Sequence, residues 1–200
     1  MKEAIHHLRR NDPVLAEIIR RVGDYRIEFR EPGFETLVKS IVYQQLSGRV
    51  ASIIFQRLVK AAGAGLTPAS VLKLRPERMR RLGLSKQKTE YIRDLARHTR
   101  DRRVVFEELQ TLTDAEVIER LTEVKGIGVW TVHMFLMFAL RRTDVLPVGD
   151  LGIRNAIKAA YGLKEPPTPA EVEAMGARWR PYCTVASWYL WRSLEPNANL

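Results

Sequence analysis

Two places in the 200-residue chain carry residues that could do chemistry. The first is Leu121-Thr122-Glu123-Val124-Lys125-Gly126-Ile127-Gly128-Val129-Trp130-Thr131, where one apolar-periodic segment ends, a Gly-x-Gly turn follows and a second segment starts at once. Two glycines permit backbone angles closed to other residues and let another backbone approach closely. The N–H groups that open the second segment have no partner inside a helix and lie at the positive end of its dipole, which makes a seat for an anion. A DNA phosphate fits such a seat, and a contact of that kind fixes register without reading sequence. A plain corner between two helices, with glycine as C-cap, has the same pattern. The second place is Leu146-Pro147-Val148-Gly149-Asp150-Leu151-Gly152-Ile153-Arg154, a turn that sets one carboxylate before a helical run. Capping that run is the ordinary use of such an aspartate. Other chemistries lack their residues. Cys183 is the single cysteine, which excludes a disulfide framework and a four-cysteine zinc or iron–sulfur site and points to a reducing cytosol. His6, His7, His98 and His133 have no metal-ligand spacing, and no Walker, Rossmann or nucleophile-elbow signature occurs.

The elements that must position these residues are helical. Asp12-Pro13 reads as an N-cap with a proline at N1, followed by an apolar face of Leu15, Ile18, Ile19 and Val22 that stops at Gly23. Residues 25–29 alternate briefly, as a short extended link would. Segments 34–46 and 50–62 have helical spacing, broken by Ser47-Gly48 and ended by Gly63. Thr67-Pro68, Arg75-Pro76, Ser85 and Thr113 open further helices, and 129–140, 151–161, 168–179 and 181–194 complete about ten. The expectation is an all-α, two-lobed orthogonal bundle with one lobe at about 33–140, including a hairpin at 121–132, and the other formed by 1–32 with 141–200.

Lys and Arg number 33 against 23 Asp and Glu, giving +10 and a pI of about 10.0. Such an excess suits a polyanion, nucleic acid before an anionic membrane surface. The N-terminal residues show no apolar core or cleavage site of a secretory signal, and no stretch approaches the roughly 18 apolar residues of a membrane span. A soluble, basic, cytoplasmic protein is expected.

The hairpin, the basic charge and an aspartate turn twenty-two residues after Gly128 together resemble the helix-hairpin-helix DNA glycosylase superfamily. Three features narrow the resemblance. Members that also cut the strand carry a lysine two positions after the second hairpin glycine; Trp130 stands there in this chain. The cysteine quartet of the iron–sulfur members is missing. Arg178-Trp179-Arg180-Pro181-Tyr182, then Ala186-Ser187-Trp188-Tyr189-Leu190-Trp191, and the corner Ile41-Val42-Tyr43-Gln44-Gln45-Leu46-Ser47 are similar to the alkyladenine branch, 3-methyladenine DNA glycosylase II. The similarity runs from about residue 34 to 191, as in short forms without an N-terminal α/β domain.

This resemblance implies a monofunctional base-excision enzyme acting on double-stranded DNA that contains alkylated purines, with a base pocket between the lobes. It makes Asp150 the catalytic carboxylate, a role compatible with capping. Trp130 and Trp191, which composition alone would place in a core, would wall the base pocket by cation–π attraction, with Tyr189 and Met134 beside them. Trp179, Tyr182 and Trp188 read as packing residues. Gly126, Gly128, Lys125 and Val129 would seat a phosphate, with Lys86, Lys88 and Arg154 as further phosphate partners. Gln44, Gln45, Leu46 and Ser47 form either a solvated helix end or a wedge filling the gap left by an everted base; Gln45 and Leu46 are equal candidates for insertion. The carbonyls of Thr122, Val124 and Ile127 correspond to those holding Na+ or K+ in relatives. No cofactor and no iron–sulfur cluster is expected, and the protein is expected to be monomeric and off the membrane. Two other readings compete: a non-catalytic binder of distorted duplex, and an enzyme for oxidised or mismatched bases, which the missing lysine and cysteines disfavour.

Overall fold

Helix starts in this chain are written locally, and the structure uses them. The computed structural model describes residues 1–63 and 65–195. It contains α1 (Lys2–Asn11), α2 (Pro13–Val22), α3 (Phe34–Tyr43), α4 (Gly48–Ala62), α5 (Pro68–Lys73), α6 (Pro76–Arg81), α7 (Lys86–Arg100), α8 (Asp114–Thr122), α9 (Val129–Phe138), α10 (Leu151–Tyr161), α11 (Pro169–Gly176), a 3-10 turn (Ala177–Trp179) and α12 (Cys183–Ser193). No strand occurs among the described residues, so the all-α expectation holds. Asp12, Thr67, Ser85, Thr113, Asp150 and Thr168 each accept a backbone N–H from the helix they precede. Prolines fill the first position of α2, α5, α6 and α11, where an N–H would be unpaired anyway.

The departures from expectation lie at helix ends. α1 was not foreseen, because its basic residues and two histidines dilute a short stripe whose buried members are Ala4 and Leu8. α3 stops at Tyr43 instead of running to 46, since Gln45 takes a left-handed conformation at φ 55°. α9 stops at Phe138, and Arg141 is left-handed at φ 58°. The segment 168–179 is a helix followed by a 3-10 turn.

The chain divides into two units. A terminal unit comprises Met1–Phe29 and Leu136–Leu200, and a central unit comprises Arg30–Phe135. The division falls a few residues before the expected 32/33 and 140/141, and Phe138, whose ring stacks on Trp191, lies in the terminal unit. In the terminal unit α2 packs on α1 and α12, and α12 on α10, around Leu8, Leu15, Ile19, Ile157 and Trp179. In the central unit α7 is the hub, packed by α3, α5 and α6. Its buried residues include Leu37, Ile41, Leu58, Met79, Ile92 and Leu95. No helix among the described residues is long and apolar enough to cross a membrane.

Candidate active site and nucleic-acid interface

In the terminal unit, the turn before α10 is built to present Asp150. The Val148 N–H donates to the Leu146 carbonyl and the Asp150 N–H to that of Pro147, both at 2.9 Å. Upstream, Thr184 of α12 anchors the approach: its hydroxyl donates to the Arg142 carbonyl at 2.7 Å and accepts the Val145 N–H at 3.1 Å. Asp150 is the N-cap of α10, and its Oδ1 accepts the Ile153 N–H at 2.8 Å. The same Oδ1 accepts Nε1–H of Trp191, also at 2.8 Å. The carboxylate is largely buried, at 8% exposure, and the Trp191 ring is half-buried and stacked against Phe138 at 6.2 Å and 23°. Capping and an indole contact therefore coexist on one oxygen.

Gly152 is the residue that sequence reasoning missed. A Cβ there would lie 3.0 Å from Asp150 Oδ1 and 3.1 and 3.2 Å from the Trp191 Cδ1 and Nε1. The sequence shows only a glycine two places after the aspartate, and its purpose depends on the indole of Trp191, 39 residues further along the chain.

Two expected residues of this unit take other positions. Tyr189 does not line an open site; it is fully buried in the core, its hydroxyl donating to the Gly23 carbonyl at 2.9 Å and its ring 4.9 Å from Trp188. Eight consecutive buried residues of α12 leave that face nothing but packing. Arg154 is half-buried and donates Nε–H to the Pro167 carbonyl at 2.6 Å, which makes it a brace for the loop before α11.

In the central unit the hairpin between α8 and α9 is clamped from beneath. Gly126 has φ 82°, and a Cβ there would sit 2.1 Å from a ring carbon of Tyr91 on α7, so only glycine fits. Asp94 of α7 accepts the Lys125 N–H at 3.0 Å and ion-pairs with Arg97 at 3.0 Å. Burial pulls the Asp94 pKa upward, but the Lys125 N–H, Arg97 and His98 outweigh it and hold the group below its ordinary value. Gln44 Nε2 donates to the Gly126 carbonyl at 2.9 Å. Above this base Gly128 is exposed, with Val129 at 48% and Trp130 at 52% exposure on the first turn of α9. An open indole beside a helix start can stack on a planar ligand while the N–H groups face an anion. Met134, one turn further along α9, is half-buried.

The corner at 44–47 also differs from expectation in part. Lys88 is not a free phosphate partner: its ammonium donates to the Val42 and Gln44 carbonyls at 2.8 and 2.5 Å, closing the end of α3, and burial lowers its pKa. Gln44 is likewise tied inward. Gln45, Leu46 and Ser47 are exposed, with Gln45 in the strained left-handed region. Lys86 and Lys125 are exposed and stay available to an anion. The Val124 carbonyl already accepts the Ile127 N–H at 3.1 Å, and a carbonyl oxygen keeps a second lone pair for a cation. Neutral carbonyl oxygens such as those of Thr122, Val124 and Ile127 are a donor set that fits a hard monovalent ion. Among the described residues no group of three or more His, Cys, Asp or Glu could hold a metal.

An all-helical chain with a glycine hairpin and an aspartate at the head of the next helix defines a class, and comparison with known proteins gives the same class. Residues 38–181 match the HhH-GPD superfamily base excision DNA repair proteins, and the chain belongs to that family. It is 36% identical over 194 residues to DNA-3-methyladenine glycosylase 1 of Schizosaccharomyces pombe, covering 94% of this chain and 85% of that protein. A structure of the S. pombe 3-methyladenine DNA glycosylase in complex with abasic DNA superposes with a TM-score of 0.84, covering 95% of each chain. A crystal structure of DNA-3-methyladenine glycosidase from Bacillus halodurans gives 0.86 at 39% identity, covering 94% of this chain and 88% of that one.

Proposed function

We propose that this repair enzyme is a monofunctional glycosylase that everts an alkylated purine, of the 3-methyladenine or 7-methylguanine type, and hydrolyses its N-glycosidic bond. The single observation that carries the reading is Asp150, one carboxylate held at the head of α10 with an aromatic indole on its Oδ1. Alkylation at N3 or N7 makes the purine cationic, so the C1′–N bond breaks with its electron pair going to a base that needs no strong acid. Positive charge then develops on the sugar. A fixed carboxylate stabilises that charge and orients the water that adds at C1′, its proton passing to the carboxylate or solvent. Free base and an abasic site are the products.

Electron-rich rings such as the open Trp130 indole favour a cationic base over a neutral one by about 0.5–2 kcal/mol each. The tryptophan also stands where strand-cutting members carry their amine nucleophile, so no Schiff base forms and the strand stays intact. Phosphates of double-stranded DNA would dock on Lys125, Gly126, Gly128 and Val129, and Na+ or K+ on the carbonyls of Thr122, Val124 and Ile127 would fix the hairpin's outline. The enzyme would act as a monomer.

The test is to incubate the protein with methylated genomic DNA and identify the released bases by mass spectrometry, then to run the DNA on denaturing gels with and without alkali. Alkylated purines in the supernatant, and breaks only after alkali, are the expected results. Release of unmodified or oxidised bases alone, or strand cleavage without alkali, contradicts the reading. A binder of damaged duplex is the second reading, favoured by the fact that capping α10 is by itself a sufficient use for Asp150; it predicts affinity with no released base.

A further inference from the structure

The contact between Trp191 and Asp150 involves the edge of the indole, not its face. A stacking wall uses the face, so the edge is left with a separate function. Asp side chains rotate freely about their last torsion, and the capping bond from Ile153 N–H fixes only one direction of approach to Oδ1. The Trp191 N–H reaches the same oxygen from α12, a different element, at 2.8 Å. Two donors of different origin on one oxygen set the plane of the carboxylate and therefore the direction of its second oxygen. The indole is itself held by the Phe138 ring stacked 6.2 Å away.

Gly152 supplies an independent observation. Unlike Gly126, it has no left-handed backbone that would call for glycine. What it provides is room, since a methyl there would press on both Asp150 Oδ1 and the indole edge at 3.0 to 3.2 Å. The geometry points to Trp191 as a positioning residue for Asp150, its indole N–H holding the carboxylate in the orientation that serves base release, with Gly152 kept small so that the indole can reach it. This rests on Asp150 being the catalytic carboxylate.

Trp191→Phe keeps a ring in place and removes the N–H; Gly152→Ala keeps every functional group and displaces the indole. Single-turnover base release from a methylated duplex is measured for each, in the wild-type and Asp150→Asn backgrounds, alongside the affinity for a duplex with an abasic site. Trp191→Phe is expected to slow release about ten- to hundredfold, the value of one hydrogen bond to a charged group, with affinity unchanged. Gly152→Ala should slow release in the same direction. In the Asp150→Asn background neither change should slow release further, because the indole acts through the carboxylate. Wild-type rates for Trp191→Phe beside an inactive Asp150→Asn would overturn the proposal, as would equal slowing in both backgrounds, which marks a stacking wall only. Should Trp191→Phe unfold, a wild-type rate for Gly152→Ala overturns it alone. Full release by Asp150→Asn refutes the underlying assignment of Asp150 and is read separately.

Discussion

The terminal unit holds two aspartates with the same local design and different surroundings. Asp12 caps α2 and Asp150 caps α10, each through Oδ1, and each accepts an indole N–H at 2.8 Å. At Asp12 the donors are shared out: Oδ1 takes the Leu15 N–H, while Oδ2 takes Trp179 and the Tyr161 hydroxyl. Asp12 and Trp179 have no exposed surface at all, and burial and the bond to Asp12 push the Tyr161 pKa up. At Asp150 the cap and the indole converge on Oδ1, the group keeps a little exposure, and the indole is only half-buried. The cap chemistry is identical, so the cap alone does not separate the carboxylate sealed in the core from the one proposed to be catalytic. What differs is where the indole N–H lands, on Oδ2 at Asp12 and on Oδ1 at Asp150, and whether the partner ring is sealed.

The sharpest test of this contrast is to neutralise each carboxylate. Asp150→Asn should lower base release by about 10²–10⁴-fold while abasic-duplex affinity persists, because asparagine keeps the size and the capping oxygen. Full turnover would put Asp150 in the same class as Asp12. Asp12→Ala should do the reverse. It removes a cap and strands the buried Trp179 N–H and Tyr161 hydroxyl, costing roughly 3 kcal/mol of stability, with release per folded molecule unchanged. Thermal unfolding and an active-site titration check the two halves. A normal melting curve for Asp12→Ala would mean that its donors find other partners.

How much of this was legible in the sequence follows from the same contrast. Caps are local, so Asp12, Thr67, Ser85, Thr113, Asp150 and Thr168 could be read directly, as could the prolines that follow three of them. The hairpin was legible because Gly126 must be glycine for its own φ. Side chains whose use depends on a distant partner were not. Lys88 looked like a phosphate ligand until α3 placed two carbonyls on its ammonium. Tyr189 looked like a pocket wall until Gly23 took its hydroxyl. Gly152 has no local reason to be glycine, so nothing short of the fold could single it out. The left-handed Gln45 shortens α3 against its own apolar periodicity, a conflict between local pattern and tertiary corner.

A third aspartate refines the comparison at smaller scale, because its duty is to hold a loop and its charge can be titrated. Asp94 receives the Lys125 N–H at 3.0 Å and so ties α7 to the hairpin. Burial raises its pKa, but Lys125, Arg97 and His98 more than reverse that, and the folded-state value lies below the ordinary one. A depressed carboxylate adds stability that is fully present above the unfolded pKa of about 3.9 and is lost as pH falls through the folded value. Asp94→Asn should therefore cost about 1–2 kcal/mol at neutral pH, and the gap between variant and wild type should close below about pH 4. Hydrogen exchange at Lys125 and Gly126 should quicken in the variant at neutral pH, with phosphate-dependent DNA affinity falling alongside it. A gap that stays constant into acid would show that shape alone, without the charge, fastens the hairpin. Base release at saturating DNA should be unaffected, since Asp94 holds the hairpin proposed to seat a phosphate and is no part of the proposed bond-breaking group.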